Sequence, residues 1–268
     1  MNYRPRQNSC FKKIYILLLK MKEVHIILLR IKERRTGLNQ VLRVEKKFLI
    51  TLEQSKGLSD KISQILEQDR HNGTNGYRIR SLYFDTLGDR DYFDKEEGLE
   101  IRRKIRLRCY GSKDAYAKLE MKQKQGEMQK KRSLLLSRKE AESICRGDYQ
   151  VLLRRSEEFA AECYGIMNCR LYRPKGIVEY NRMAFIGKEN DTRITFDSNI
   201  RGTESNYNIF EKNLCLYPVF EPSWVVLEVK YNGFLLSYIK GLLDSVGCRE
   251  ISISKYSRGR GITCSNWV

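Results

Sequence analysis

The sequence predicts an α+β fold in which a strand-rich sheet wraps with its charged faces inward, lining a channel with Lys and Arg. Three observations predict it. First, six short segments place charged residues, most of them basic, at every second position with apolar residues between: Arg43–Lys47, Lys104–Arg108, Lys118–Lys122, Val178–Arg182, Arg193–Asp197 and Glu228–Lys230. Period two marks a strand with one charged and one apolar face. Second, 51 Lys and Arg stand against 33 Asp and Glu, a net charge of +18, and Ile101 to Arg132 alone holds twelve basic and three acidic residues. That concentration points to a local funnel for anions such as phosphate, nucleic acid or a membrane surface. Third, segments of helical spacing stand between the strands.

Taken in order, the chain opens on forty residues unlike the rest. Ile14, Leu17, Leu18, Met21, Val24, Leu28 and Ile31 recur at helical spacing among Lys and Arg. This is either a basic amphipathic helix for a membrane surface or partner, or a poorly ordered extension with Met21 as the true start. Its longest apolar run, Ile14 to Leu19, is far short of the roughly 20 residues that span a bilayer. From Val41 to Val268 a single domain is expected, with no linker or repeat. Lys56 to Arg70 reads as a helix through Leu58, Ile62, Ile65 and Leu66. Arg78 and Arg80 then lead into another strand ending Tyr83-Phe84-Asp85-Thr86, whose two aromatics read as core or rim. Gly111 to Asp114 forms the turn between the Lys104 and Lys118 strands. Ser137 and Glu140 make a capping box that starts a helix, a further helix runs from about Tyr149 to Tyr164, and another covers Phe234 to Val246 and stops at Gly247. Ser254-Lys255-Tyr256, with Arg258 and Arg260, reads as a basic loop.

Composition narrows the chemistry. Eight Cys occur without a Cys-x-x-Cys pair and read as reduced thiols of a cytosolic protein. Two His, His25 and His71, are too few for a His-based metal site or a Ser-His-Asp triad with its supporting groups. A metal here would be held by carboxylates, which favours Mg²⁺ or Mn²⁺. Neither Gly-x-x-x-x-Gly-Lys-[Ser/Thr] nor a Gly-x-Gly-x-x-Gly ahead of a helix occurs, so any phosphate is held by side chains.

Lys104, Arg106 and Arg108 share one face of a strand, and Lys118, Glu120 and Lys122 one face of the next. Guanidinium groups grip phosphate oxygens bidentately, whereas ammonium groups act as mobile point charges. Candidate substrate contacts are Lys47, Lys104, Lys118, Lys131 and Lys230. Glu45, Glu120 and Glu228 each stand two residues from a Lys on the same face. A divalent cation bridging such a carboxylate to phosphate oxygens fits that pattern, and so does simple charge pairing with the neighbouring Lys.

Together these segments resemble the VTC domain, a polyphosphate polymerase module of the triphosphate tunnel or CYTH-like superfamily. The matching pieces are Arg43–Phe48, Arg80–Thr86, Lys104–Gly111, Leu119–Lys122, Tyr180–Phe185, Arg193–Asp197, Leu227–Tyr231 and Ser254–Tyr256, in order from about residue 41 to 261. The resemblance implies an antiparallel β-barrel with a basic lumen and helices packed outside. It implies transfer of the γ-phosphoryl group of ATP to a growing inorganic polyphosphate chain, assisted by Mn²⁺ or Mg²⁺. On the family pattern Lys47, Arg106, Arg108, Lys122, Arg182, Arg193 and Lys255 hold triphosphate or product, and Glu228 ligates the metal, with Glu45 and Glu120 as further candidates. ATP and polyphosphate are then the partners, with no nucleic acid. A cytoplasmic location follows, peripheral at the inner membrane face if residues 1–40 dock there. Hydrolytic relatives carry a Glu-x-Glu-x-Lys strand whose first acid is Arg43 here, which weighs against a triphosphatase. The remaining alternative is a non-catalytic binder of polyphosphate or nucleic acid, whose exposed stacking aromatics the motif positions do not supply.

Overall fold

The computed structural model describes residues 43–126, 128–247 and 249–261; the amphipathic segment at 1–40 lies outside the described residues. The sheet strands are β1 (Arg43–Thr51), β2 (Glu67–Gln68), β3 (Tyr77–Asp85), β4 (Ile101–Cys109), β5 (Tyr116–Gln125), β6 (Met128–Ser137), β7 (Arg173–Ile186), β8 (Arg193–Thr203), β9 (Tyr217–Pro218) and β10 (Trp224–Asn232). The helices are α1 (Leu52–Ser63), α2 (Arg90–Glu96), α3 (Arg138–Cys145), α4 (Glu158–Cys169), α5 (Ser237–Asp244) and α6 (Lys255–Gly259).

The strands form one antiparallel sheet in the order β1-β10-β8-β7-β3-β4-β5-β6, with β2 on β7 and β9 on β8. The order is open. No backbone ladder among the described residues joins β6 to β1, so the barrel expected from the resemblance is not closed by hydrogen bonds. Side chains reach across instead: Lys122 Nζ on β5, next to the last strand of the order, lies 3.0 Å from Glu45 Oε2 on β1, the first. The sheet therefore curls until its charged face meets itself.

Register shows how one face collects the charges. Glu45 faces Lys230, Lys47 faces Glu228, and Lys230 in turn faces Arg193. Arg182 pairs with Asp197 and with Tyr77, Ser81 with Arg108, Arg106 with Glu120, and Lys122 with both Lys104 and Lys131. Because side chains alternate strictly along a strand, these matched positions all stand on the same, concave side.

The convex side is apolar and carries the helices. Leu82, Phe84, Ile105, Leu107, Leu119 and Met121 pack under Ile144 of α3 and Cys163 and Met167 of α4. At the other end of the strand order Ile50, Leu227, Val229, Ile194 and Phe196 pack under Leu58 and Ile62 of α1 and Ile239 and Leu243 of α5. Fully burying each such Leu or Ile contributes about 2 kcal/mol. A third apolar cluster stands on the concave side, where Ile79, Tyr83, Val178, Tyr180 and Val226 receive Ile253 and Tyr256. The C-terminal segment is thus inserted into the concavity, and it runs along β1 through the Ile251 N to Lys47 O bond of 2.8 Å.

Several elements depart from the sequence reading. The helix expected over Lys56–Arg70 is Leu52–Ser63, because Thr51 and Gln54 form a capping box upstream of the apolar pattern. The helix expected from Tyr149 to Tyr164 is a 3₁₀ turn at Gln150–Arg154 and then α4, separated by extended backbone at Arg155. The Ser137–Glu140 capping box is present, and Gly247 follows α5 with φ of +63°. Tyr83 and Phe84 are both buried. The basic loop at Ser254–Tyr256 is instead the start of α6, since Ser254 accepts from the Ser257 N–H as N-cap. Strand β6 and helix α2 have no counterpart in the sequence reading. In β6 a basic run followed by Leu134-Leu135-Leu136 hides the period of two. No described helix is long and apolar enough to cross a membrane.

Candidate functional site

The centre of the concave face is built on two buried carboxylates. Asp197 of β8 takes both Arg182 donors, Nε and Nη2, at 2.7 Å each, and Lys255 Nζ at 2.6 Å. Glu228 of β10 receives Lys255 at 3.1 Å through Oε1 and Lys230 at 2.9 Å through Oε2, with Arg182 at 3.9 Å. Lys255 reaches both acids because α6 begins inside the concavity. Burial works against ionising Glu228, but Lys255, Lys230, Lys47 and Arg182 outweigh it and hold the carboxyl well below its usual range. Burial likewise opposes the charge on Lys255, and Asp197 and Glu228 reverse that, raising its pKa.

Beside this pair, Glu120 of β5 gathers guanidinium groups. Arg106 Nε donates to it at 2.7 Å, Arg108 stands 3.7 Å away, and Lys131 of β6 pairs with its other oxygen. Burial raises the Glu120 pKa, and Arg106, Arg108 and Lys131 together bring it down to about 2. Arg108 also contacts Ser81 Oγ and Tyr180 OH, and Arg106 contacts Tyr83 OH. The Tyr180 hydroxyl, raised by burial, is lowered overall by Arg182, Arg108 and Lys255.

One end of the face opens as a cavity of about 340 Å³ lined by Glu45, Lys47, Lys95, Arg102, Lys104, Lys122, Lys124 and the 250–254 segment. Lys104 donates to Ser254 Oγ at 2.6 Å and lies 5.9 Å above the Tyr256 ring. Desolvation, followed by repulsion from Lys47, Lys95, Lys122 and Arg106, pushes its pKa down to about 7. Glu45 sits between Lys47 and Lys122, and although burial raises its pKa, Lys230, Lys47 and Lys122 bring it to about 2. A larger cavity, of about 780 Å³, lies elsewhere and is lined by Glu142, Cys145, Arg146, Arg173 and Tyr207; it shares no residue with the charged face.

The structure brings most of the expected site residues together but gives them different surroundings. Arg106, Arg108, Arg182, Lys255, Glu120 and Glu228 form the interior, and Lys47, Lys104, Lys122, Lys230 and Glu45 its open end. Lys131 is half exposed over Glu120. Lys118 is exposed at the far end, 5.8 Å over the Tyr110 ring. Arg193 is bound by Asp69 at 2.7 Å and Tyr77 OH at 3.2 Å. Reading Lys255 as a loop residue missed its insertion and burial. Asp197, Tyr180, Ser81 and Ser254 were not singled out, although Asp197 follows Arg193 and Thr195 in the same alternation.

A buried, carboxylate-ordered array of cations drawn from many strands is suited to holding a chain of phosphates. The VTC domain family matches residues 42–263. The chain belongs to the VTC domain family. VTC domains have the triphosphate tunnel metalloenzyme-like fold and are polyphosphate-related. No curated protein matches the sequence. Among solved structures, a candidate adenylate cyclase of Bacillus halodurans aligns at 14% identity and a TM-score of 0.47, covering 80% of this chain and 94% of that one. The Mediator head module of Schizosaccharomyces pombe aligns at 9% and 0.45, covering 78% of this chain and 96% of the matched chain. A conserved hypothetical protein of Pyrococcus furiosus aligns at 10% and 0.35, covering 76% and 88%. Likenesses at these scores carry no argument about function.

VTC domains in general depend on a divalent metal. Among the described residues no three His, Cys, Asp or Glu side chains group as a complete metal cage. The donors present suit a different arrangement, in which a hard cation takes one or two protein carboxylates and completes its shell with phosphate oxygens and water. Glu228 meets that need as a buried oxygen donor kept ionised, and Glu45 lies near enough to feel its charge. Glu120, paired with two Arg and a Lys as Glu228 is with two Lys and an Arg, is an oxygen donor of the same kind.

Proposed function

We propose that this VTC domain is an ATP-dependent polyphosphate polymerase working in a basic tunnel formed by the curled sheet. The observation that carries the reading is the single concave face on which Arg106, Arg108, Arg182 and Lys255 converge, with the buried Glu228 among them. A terminal phosphate oxygen of the polyphosphate chain attacks Pγ of ATP. The bond between Pγ and the β-bridging oxygen breaks, ADP leaves and the chain is longer by one phosphate. The attacking oxygen is already ionised, so no general base is needed, which suits a chain with only two His. Arg106 and Arg108 bind and orient equatorial phosphate oxygens, while Arg182 and Lys255, fixed by Asp197, stabilise charge as it shifts to the leaving group. Glu228, with Glu45 nearby, would hold Mn²⁺ or Mg²⁺, which supplies charge neutralisation when bound.

Purified protein incubated with ATP and Mn²⁺ should yield acid-labile polymer and ADP. Glu228→Ala should abolish polymer while the circular dichroism spectrum is retained. Polymer made by Glu228→Ala at the parental rate would sink the metal assignment, and free phosphate without polymer would make the protein a triphosphatase.

A further inference from the structure

The two ends of the concave face differ in chemistry. The end described above is lined by Lys47, Lys95, Arg102, Lys104, Lys122 and Lys124, and among the described residues no aromatic lines that cavity. The opposite end is aromatic. The Tyr77 ring stands 6.2 Å from those of both Tyr110 and His71, with Lys118 over Tyr110 and Arg193 on the Tyr77 hydroxyl. Tyr116, the first residue of β5, shares the face of Lys118 and Glu120. Tyr110 is 42% exposed and Tyr116 58%.

We propose that this end, through Tyr110 beside Tyr77, with Tyr116 on the neighbouring strand, seats the nucleobase of the nucleoside triphosphate. Its phosphates then run inward to Arg108 and Arg106, and the product chain leaves past Lys104 at the other end. The inference rests on the polymerase reading for the identity of the ligand and adds to it a direction. From Tyr110, one residue past the end of β4, Arg108 lies about 7 Å inward, Arg106 about 13 Å and Lys104 about 20 Å, taking about 3.3 Å per residue. A base has a π-face for an exposed tyrosine to stack on; polyphosphate has none and needs only cations. The rings deeper in the concavity, Tyr83 and Tyr180, are 4% and 2% exposed and pack against the C-terminal segment, so they offer no stacking face. A nucleic-acid strand needs successive stacking sites along its path. Clustered rings at one end suit a single base.

The test is calorimetric titration of the full chain with Mg²⁺-ATP and, separately, with inorganic tripolyphosphate. Tyr110→Ala should weaken ATP about tenfold, which corresponds to about 1.4 kcal/mol, and leave tripolyphosphate within about twofold. Tyr110→Phe, which keeps the ring, should bind ATP like the parent, and an unchanged melting temperature checks the fold of both variants. Equal weakening of both ligands, unchanged ATP binding, no ATP binding by the parent, or an oligothymidylate that outcompetes ATP at Tyr110 would each overturn the proposal. The polymer assay stands apart. Absence of polymer alongside a selective loss of ATP affinity would defeat the polymerase reading only, whereas polymer formation with ATP affinity indifferent to Tyr110 would defeat this proposal only.

Discussion

Lys104 shows what a single residue contributes to a site of this kind. Its partner is the Ser254 hydroxyl rather than a carboxylate, and burial among other cations lowers its pKa to about 7. A bound phosphate would supply the missing countercharge and favour the ammonium form. Affinity for tripolyphosphate should therefore fall between pH 6 and pH 8, and Lys104→Arg, which stays protonated, should flatten that fall in a calorimetric pH series. The stability effect has the opposite sign. An unfolded chain binds a proton on this lysine up to about pH 10.4, whereas the folded chain gives it up near 7, so this group makes folding more favourable as pH rises across that interval. Glu120 is the complementary case. Glu120→Gln leaves Arg106 and Arg108 without their shared counterion and should cost roughly 3 kcal/mol in denaturant melts. Tripolyphosphate should raise the melting temperature of that variant more than that of the parent, because the ligand replaces the lost charge. The interior Arg and Glu residues were legible one by one, since type and alternation mark them. Asp197 was not, because its importance lies in meeting Arg182 from the neighbouring strand and Lys255 from the chain terminus.

At the scale of elements, two small features aim the charges. Gly76 precedes β3 with φ of +77°, and a Cβ there would stand 2.3 Å from the Arg182 carbonyl oxygen. Gly76→Ala should cost about 2 kcal/mol or more in thermal unfolding through strain and displacement of backbone and should lower polymer formation by moving Arg182. Helix α6 is the second. Ser254 caps it, and Tyr256 donates to Asp85 Oδ2 at 2.7 Å while Asp85 also accepts the Thr86, Asp91 and Tyr92 amides. Ser254→Ala removes both the cap and the Lys104 acceptor, with an expected loss of about 1 kcal/mol and a KM for ATP that rises more than the stability loss explains. Strands with clean alternation were legible, as were the starts of helices with capping boxes. Helix α6 was not. Five residues give too short a pattern, and the insertion that stabilises it is made by contacts distant in the sequence.

For the whole molecule, the charge of +18 and the concave placement of so many Lys and Arg make association electrostatic. Affinity for long-chain polyphosphate, measured by fluorescence titration, should fall steeply between low salt and roughly 0.5 M as the Debye length contracts to a few ångströms. The loss should exceed that for ATP, which engages fewer cations. The buried carboxylates explain why such a surface folds at all. Each gathers two or three cations, limiting repulsion before any ligand arrives, and the apolar convex side supplies the burial that holds the sheet curved.

The sequence by itself determined that strands have one charged and one apolar face, that the charged faces are rich in Lys and Arg, and which Arg, Lys and Glu share them, because period and residue type are local properties. The tertiary structure alone decided that β1 and β5 meet through Glu45 and Lys122 without a closing ladder, that Lys255 lies buried between Asp197 and Glu228, and that one end of the face is aromatic and the other cationic. Those outcomes depend on strand order and register. Both are settled when distant segments bury their convex faces together, and neither leaves a periodic mark in the chain.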